Sequence, residues 1–298
     1  MNRPRPDQVC DGARLWCNRR MKGDPISLRE AWVDLDGRRL LYRTNAAPPP
    51  APDAPTLIHI HGFAISGRYL MPTAWRLAGD YRTYVPDLPG FGRSERPPHP
   101  FSIPELADAL AGFMDSVGVE RATLLGNSLG CPIIGEFIDH YPGRAERVIF
   151  VSPAGGLYNQ PLPKGLSQLI VDTLREPPGM AKFVVSDYLH YGPVATFNLI
   201  KSMLEYPTTE RIAKLRMPTL VVLGSRDPFV SERWIKRRAV GLPHVTALTI
   251  EGAAHAVNFS HPEQLANVVR SWMADRPIVD DPTAPGRARI FLTPPDGT

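Results

Sequence analysis

Apolar and polar positions along the 298-residue chain change rhythm several times, and each change marks an element. Residues 31–35 (AWVDL) and 38–44 (RRLLYRT) are strand-like runs flanking Asp36-Gly37, a dipeptide suited to a two-residue hairpin turn. A proline- and alanine-rich connector over 46–55 is expected at the surface. The pattern then predicts a strand over 56–60 (TLIHI), a helix near 70–77 and a strand over 82–86 (RTYVP). Over 103–117 the apolar positions Ile103, Leu106, Leu110, Phe113, Met114 and Val117 fall on one helical stripe. Ser102 with Glu105 three residues later reads as a capping box that starts this helix. A strand over 122–126, a helix over 129–141 stopped by Pro142-Gly143, and a strand over 147–151 follow.

Short strands alternating with helices predict a parallel sheet covered on both faces. The alternation stops over 152–217, where helix-compatible stretches (165–174, 179–189, 194–204) occur without a clear strand. It resumes with a strand over 219–223, a helix near 231–240, a strand over 245–250 and a closing helix over 262–272. We therefore divide the chain into a lead-in (1–30), a core (31–151 and 218–275), an inserted helical lid (152–217) and a proline-rich tail (276–298). The tail is expected to extend over the surface or fray.

Composition narrows the function classes. Apolar residues make up 43% of the chain, enough to argue against disorder as the global state. The 34 basic and 30 acidic residues give a formal charge of only +4, spread along the chain. The densest basic cluster, Lys236-Arg237-Arg238 near Arg233, reads as a solvated helix face, so no nucleic-acid partner is expected. Cys10, Cys17 and Cys131 are too few for a disulfide framework, and Cys10 and Cys17 read as a reduced pair. No apolar run reaches the ~18 residues of a spanning helix, and the opening residues lack the apolar stretch of a secretory signal, so no membrane anchor and a cytoplasmic location are expected. Without an H-E-x-x-H pair, paired C-x-x-C motifs or a phosphate-binding loop, neither a metal nor a cofactor is expected.

The candidate chemistry centres on Gly126-Asn127-Ser128-Leu129-Gly130. This G-x-S-x-G spacing lets a strand turn sharply into a helix with the serine at the apex, because Gly126 and Gly130 remove side chains that would collide across the turn. A serine hydroxyl needs a neighbouring base. His255, in Glu251-Gly252-Ala253-Ala254-His255, and Asp227, in Gly224-Ser225-Arg226-Asp227-Pro228, each follow a predicted strand and suit the roles of base and orienting carboxylate. The backbone amides of Phe63 and Leu129 are the candidate donors to a developing oxyanion. Cys131 reads as a packing residue. His61 reads as a brace for the Phe63 loop and Asp87 as part of a turn network with Gly90, Gly92 and Ser94. Candidate pocket residues are His61, Gly62, Phe183, Phe197, Met203 and Val257, with further apolar lid positions such as Leu199 and Ile200.

His61-Gly62, Asp87-Leu88-Pro89-Gly90-Phe91-Gly92-Arg93-Ser94, the serine motif, Gly224-Ser225-Arg226-Asp227 and Gly252-Ala253-Ala254-His255, in this order, resemble the lid-bearing branch of the α/β-hydrolase family over about residues 31–275. The resemblance implies an eight-stranded, mostly parallel sheet flanked by helices, with a lid inserted after the strand near Val151. It also implies a serine hydrolase of a small or medium, partly apolar substrate, with carboxylic ester cleavage through an acyl-enzyme as the leading expectation. Gly-Asn-Ser-Leu-Gly and Ser152-Pro153-Ala154-Gly155-Gly156 resemble hydrolases of carbon–carbon bonds in ring-fission diketones, although Ala256 stands where those enzymes usually carry tryptophan and Cys131 where they carry glycine. The same motifs are compatible with lactone, amide or peptide hydrolysis, and with small-ligand binding without turnover.

Overall fold

The computed structural model describes residues 28–47, 51–153, 162–206, 215–239, 242 and 244–294. The Cys10–Cys17 pair, most of the lead-in and Ala154-Gly155-Gly156 lie outside these residues. A hairpin opens the described chain: β1 (Leu28–Leu35) pairs antiparallel with β2 (Arg38–Asn45). Asp36 and Gly37 form its turn with φ of 52° and 77°, the left-handed values a two-residue hairpin turn requires. The Asp34 carboxylate accepts the Gly37 amide at 2.8 Å and closes the corner.

The sheet continues with β3 (Thr56–Ile60), β4 (Arg82–Pro86), β5 (Ala122–Asn127), β6 (Ala145–Val151), β7 (Thr219–Gly224) and β8 (Val245–Ile250). Strands β3 to β8 run parallel in the spatial order 4-3-5-6-7-8, while β2 closes onto β4 antiparallel. The central strands β5 and β7 are buried throughout, which explains their unbroken apolar runs.

Among the described residues the sheet has nine strands, one more than the resemblance implies. The additional strand, β9 (Ala288–Leu292), comes from the proline-rich tail and pairs antiparallel with β8. Its five residues, Ala-Arg-Ile-Phe-Leu, are a short strand-compatible run hidden among turn formers, and the open edge of β8 supplies its hydrogen-bonding partners.

Helices cover both faces. On one side lie α2 (Ile103–Ser116) and α3 (Gly130–His140), after the short α1 (Met71–Leu77) on the other. Ser102 and Glu105 form the reciprocal capping box of α2. Ile103, Leu106, Leu110 and Phe113 are fully buried beneath it, each contributing about 1.5–3 kcal/mol relative to exposure. Among the described residues, three helices follow β6 in the chain and form the lid: α4 (Leu162–Arg175), α5 (Pro178–Tyr191) and α6 (Pro193–Glu205). The core resumes with α7 (Glu232–Ala239), the single turn α8 (Val257–Ser260) and α9 (Pro262–Met273). On the second face Leu265, Ala266, Val268 and Val269 of α9 pack with Leu77 of α1 against the sheet.

The lid is pinned to the core by polar contacts as well as packing. Asp187 of α5, buried, accepts the backbone amide and hydroxyl of Ser66 at 2.8 and 2.6 Å and pairs with Arg68 at 2.5 Å.

Candidate active site

Strand β5 ends in Asn127, and the next residue, Ser128, has φ 55° before α3 begins. A left-handed conformation in a non-glycine residue costs roughly 1–3 kcal/mol and persists only where the surroundings enforce it. They do so through close packing. A Cβ on Gly126 would lie 2.6 Å from the Gly130 carbonyl carbon, and one on Gly130 would lie 2.4 Å from the Ile60 carbonyl oxygen. Both overlaps are with backbone, so the two glycines let the turn close against itself and against the end of β3. Cys131 packs here, with its thiol on the Gly126 carbonyl at 3.2 Å, and burial holds that thiol protonated well above its ordinary pKa.

Asp227 and His255 occupy the turns after β7 and β8. One Asp227 oxygen accepts the backbone amides of Phe229 and Val230 at 2.7 and 3.3 Å. The other faces His255 Nδ1 at 2.9 Å. Burial alone would raise the Asp227 pKa, but the imidazole and these amides outweigh it and lower the value. For His255, burial disfavours the charged ring. The Asp227 carboxylate, with Asp172 and Glu176 beyond it, reverses the effect and raises the pKa to about 9. Phe229 closes one side of the ring, edge to face at 4.7 Å between centroids.

Ser128 and His255 line one cavity of about 260 Å³ beneath the lid. Its walls are mostly apolar, with Ile65 and Phe63 from the core and Leu169, Met180, Val184 and Met203 from the lid. Phe63 stacks edge-on against Tyr188 of α5 at 5.8 Å. Its neighbour Ala64 has φ 51°, a left-handed non-glycine residue in the loop after β3. Leu129 is buried and forms the N-cap position of α3, so its amide belongs to the first turn beside Ser128.

The structure distributes the remaining sequence-derived pocket residues unevenly. Gly62 and Met203 line the cavity. His61 is fully buried behind it: its Nε2 accepts the Leu88 amide at 3.0 Å and its Nδ1 faces the Gly62 carbonyl at 3.1 Å. Phe183 packs against Phe259 at 6.0 Å in the seam between lid and core, Val257, the first residue of α8, is fully buried in the core, and Phe197 is 63% exposed on the outer lid. Asp87 is buried in a network with the Arg43 guanidinium at 2.7 Å and the Gly67 amide at 2.8 Å.

Sequence reasoning missed several polar residues at the cavity, among them Tyr69, Asp172 and Glu176. The Tyr69 hydroxyl accepts the Gly62 amide at 2.8 Å and donates to Asn127 Oδ1 at 2.6 Å, joining the loop after β3 to the residue before Ser128. Asn127 then donates to the Val151 and His255 carbonyls at 3.0 and 3.3 Å. Tyr69 belongs to no motif. Asp172 and Glu176 have i, i+4 spacing, which also describes ordinary solvated helix faces. Among the described residues there is no group of three or more histidine, cysteine or acidic side chains placed to hold a metal, and no helix long and apolar enough to cross a membrane.

Comparison with known proteins agrees with this architecture. The profile of the alpha/beta hydrolase family matches residues 57–268. The chain is similar to pimeloyl-(acyl-carrier protein) methyl ester esterase of Xanthomonas campestris pv. campestris, with 27% identity over 75% of this chain and 96% of the relative. It is also similar to 2-hydroxy-6-oxo-6-phenylhexa-2,4-dienoate hydrolase of Burkholderia cepacia, with 26% identity over 67% of this chain and 79% of the relative. A thermophilic esterase from Thermogutta terrifontis shares the fold, with a TM-score of 0.68 at 20% identity over 83% of this chain and 98% of that one. With the family profile spanning β3 to α9, and the parallel sheet, strained serine turn and inserted lid in place, the chain belongs to the alpha/beta hydrolase family.

Proposed function

We propose that this protein is a serine esterase that cleaves a small or medium, partly apolar carboxylic ester through an acyl-enzyme. The observation that carries the reading is the shared cavity: the strained Ser128 and His255 both line it, and His255 is held by Asp227 at 2.9 Å. Neutral His255 takes the proton of Ser128 as its hydroxyl oxygen attacks the carbonyl carbon. The backbone amides of Phe63 and Leu129 stabilise the resulting oxyanion. His255 returns the proton to the leaving alcohol as the carbon–oxygen bond breaks. A water deprotonated by His255 then attacks the acyl-enzyme and releases the acid.

The apolar lining supplied by Leu169, Met180, Val184 and Met203 supports an acyl or alcohol part of hydrocarbon character. Ser128→Ala is expected to abolish turnover of p-nitrophenyl esters of graded chain length; turnover equal to wild type would refute the assignment. A second reading, carbon–carbon bond hydrolysis of a dienol diketone by the same residues, draws on the likeness to the Burkholderia cepacia hydrolase. A ring-fission dienoate in the same panel separates the two.

A further inference from the structure

The C-terminal end of α4 reaches the turn that carries His255. The Glu176 amide still bonds to the Asp172 carbonyl at 2.9 Å, so the two carboxylates lie one helical turn apart on the same face. Both line the cavity with Ser128 and His255. Glu176 Oε1 accepts the backbone amide of Ala256 at 2.6 Å, a bond that spans 80 residues and joins lid to core. Asp172, beside it, adds a further negative charge to the surroundings of the His255 ring. A carboxylate bonded to a backbone N–H is among the stronger protein hydrogen bonds, and here it restrains the residue next to the candidate base.

We propose that Glu176 is a positioning residue for the hydrolytic reaction: it ties the lid to the backbone at Ala256, so that seating of the lid and orientation of the His255 ring are one event. The inference rests on the serine-esterase reading above. The carboxylate that holds the turn also bears on the charge of the ring. His255 is faced by Asp227 from the turn after β7 and by Asp172 and Glu176 from the lid. Glu176 is faced in turn by Asp172, His255 and Asp227, while the nearby phenols of Tyr69 and Tyr188 are held neutral, chiefly by burial. Arg175, the cation next to Glu176 in the chain, donates to the Arg226 carbonyl at 2.7 Å. Burial raises Glu176 to about 7, so its charge is present in the range where His255, at about 9, releases its proton.

The two contributions are separable. Glu176→Gln keeps a carbonyl oxygen for the Ala256 amide and removes the charge, whereas Glu176→Ala removes both. Wild type, both variants and Ser128→Ala are compared as full-length chains, with kcat and kcat/KM for one p-nitrophenyl ester measured from about pH 5 to about pH 10. Loss of a negative neighbour destabilises the imidazolium, so the acid limb of kcat/KM moves to lower pH in both Glu176 variants, by roughly 1 unit. Plateau kcat stays within about twofold of wild type in Glu176→Gln and falls about tenfold or more in Glu176→Ala, where the turn loses its restraint. If both variants keep the wild-type limb and plateau while Ser128→Ala is inactive, the positioning role is wrong and the serine reading stands. If Ser128→Ala turns over like wild type, the serine reading falls and this inference with it. Glu176→Gln is nearly isosteric and carries the test alone if Glu176→Ala does not fold.

Discussion

Tyr69→Phe removes one oxygen from a fully enclosed position and tests whether the cavity floor is held by a hydrogen-bond chain. Tyr69 is 1% exposed. Its hydroxyl is the acceptor for the Gly62 amide at 2.8 Å and the donor to Asn127 Oδ1 at 2.6 Å. Burial pushes its pKa well up, so the phenol keeps the proton it donates. The variant strands one donor and one acceptor in a buried site, and each such group costs about 1–3 kcal/mol. The hydroxyl no longer has to be desolvated, which offsets part of this, leaving a destabilisation of about 2–4 kcal/mol. The kinetic consequence follows from connectivity. Gly62 precedes Phe63, a proposed oxyanion donor, and Asn127 precedes Ser128, so both loosened segments bear on the reacting centre. We expect kcat to fall roughly 10- to 100-fold with a smaller change in KM, as for a misplacement of about 1 Å. Urea denaturation followed by tryptophan fluorescence gives the stability change, and ester hydrolysis gives the kinetic one. A variant within about 0.5 kcal/mol of wild type with unchanged kcat would show that this chain does not organise the site.

Four further outcomes follow from the same geometry. With His255 at about 9, kcat/KM is expected to climb with pH between about 7 and about 9, since only the neutral ring accepts the serine proton; a flat profile there would contradict the role assigned to it. Asp227→Asn should lower kcat by about 10³- to 10⁴-fold by favouring the wrong tautomer, measured against an unchanged circular dichroism spectrum. Asp87→Ala leaves the buried Arg43 guanidinium with the more distant, half-exposed Glu30 carboxylate at 3.7 Å and should cost about 3 kcal/mol by chemical denaturation. In the wild type the Asp87 contribution is present above its ordinary pKa of 3.8 and is lost as pH falls through the lowered folded value, where Asp87→Ala has nothing further to lose. Gly130→Ala places a Cβ 2.4 Å from the Ile60 carbonyl oxygen, so both melting temperature and ester turnover should fall.

Much of the core was legible because its signals are local. The hairpin at Asp36-Gly37, the capping box at Ser102 and the buried runs of β5 and β7 each follow from residues adjacent in the chain. The serine motif was legible for the same reason, since its two glycines answer a collision within one turn. The ninth strand was not, because Ala288–Leu292 is too short to stand out among prolines and pairs only where β8 leaves an edge. Among pocket positions, apolar character alone did not separate Met203, which lines the cavity, from Phe197, which faces outward. Both sit on α6, whose apolar residues lie on more than one face: Leu199 and Met203 are buried while Val194 and Phe197 are exposed, which blurs the periodic signal.

The amino-acid sequence alone determined the alternation of strands and helices and the insertion of a helical region into it, and it singled out one serine, one histidine and one aspartate as candidates, because backbone preferences and turn chemistry act over a few residues. Only the tertiary structure decided that Tyr69 joins Gly62 to Asn127, that Asp87 is matched to Arg43, and that Glu176 reaches across to Ala256. A hydrogen bond between groups tens of residues apart leaves no spacing rule in the chain; it exists only once burial has removed water as the competing partner.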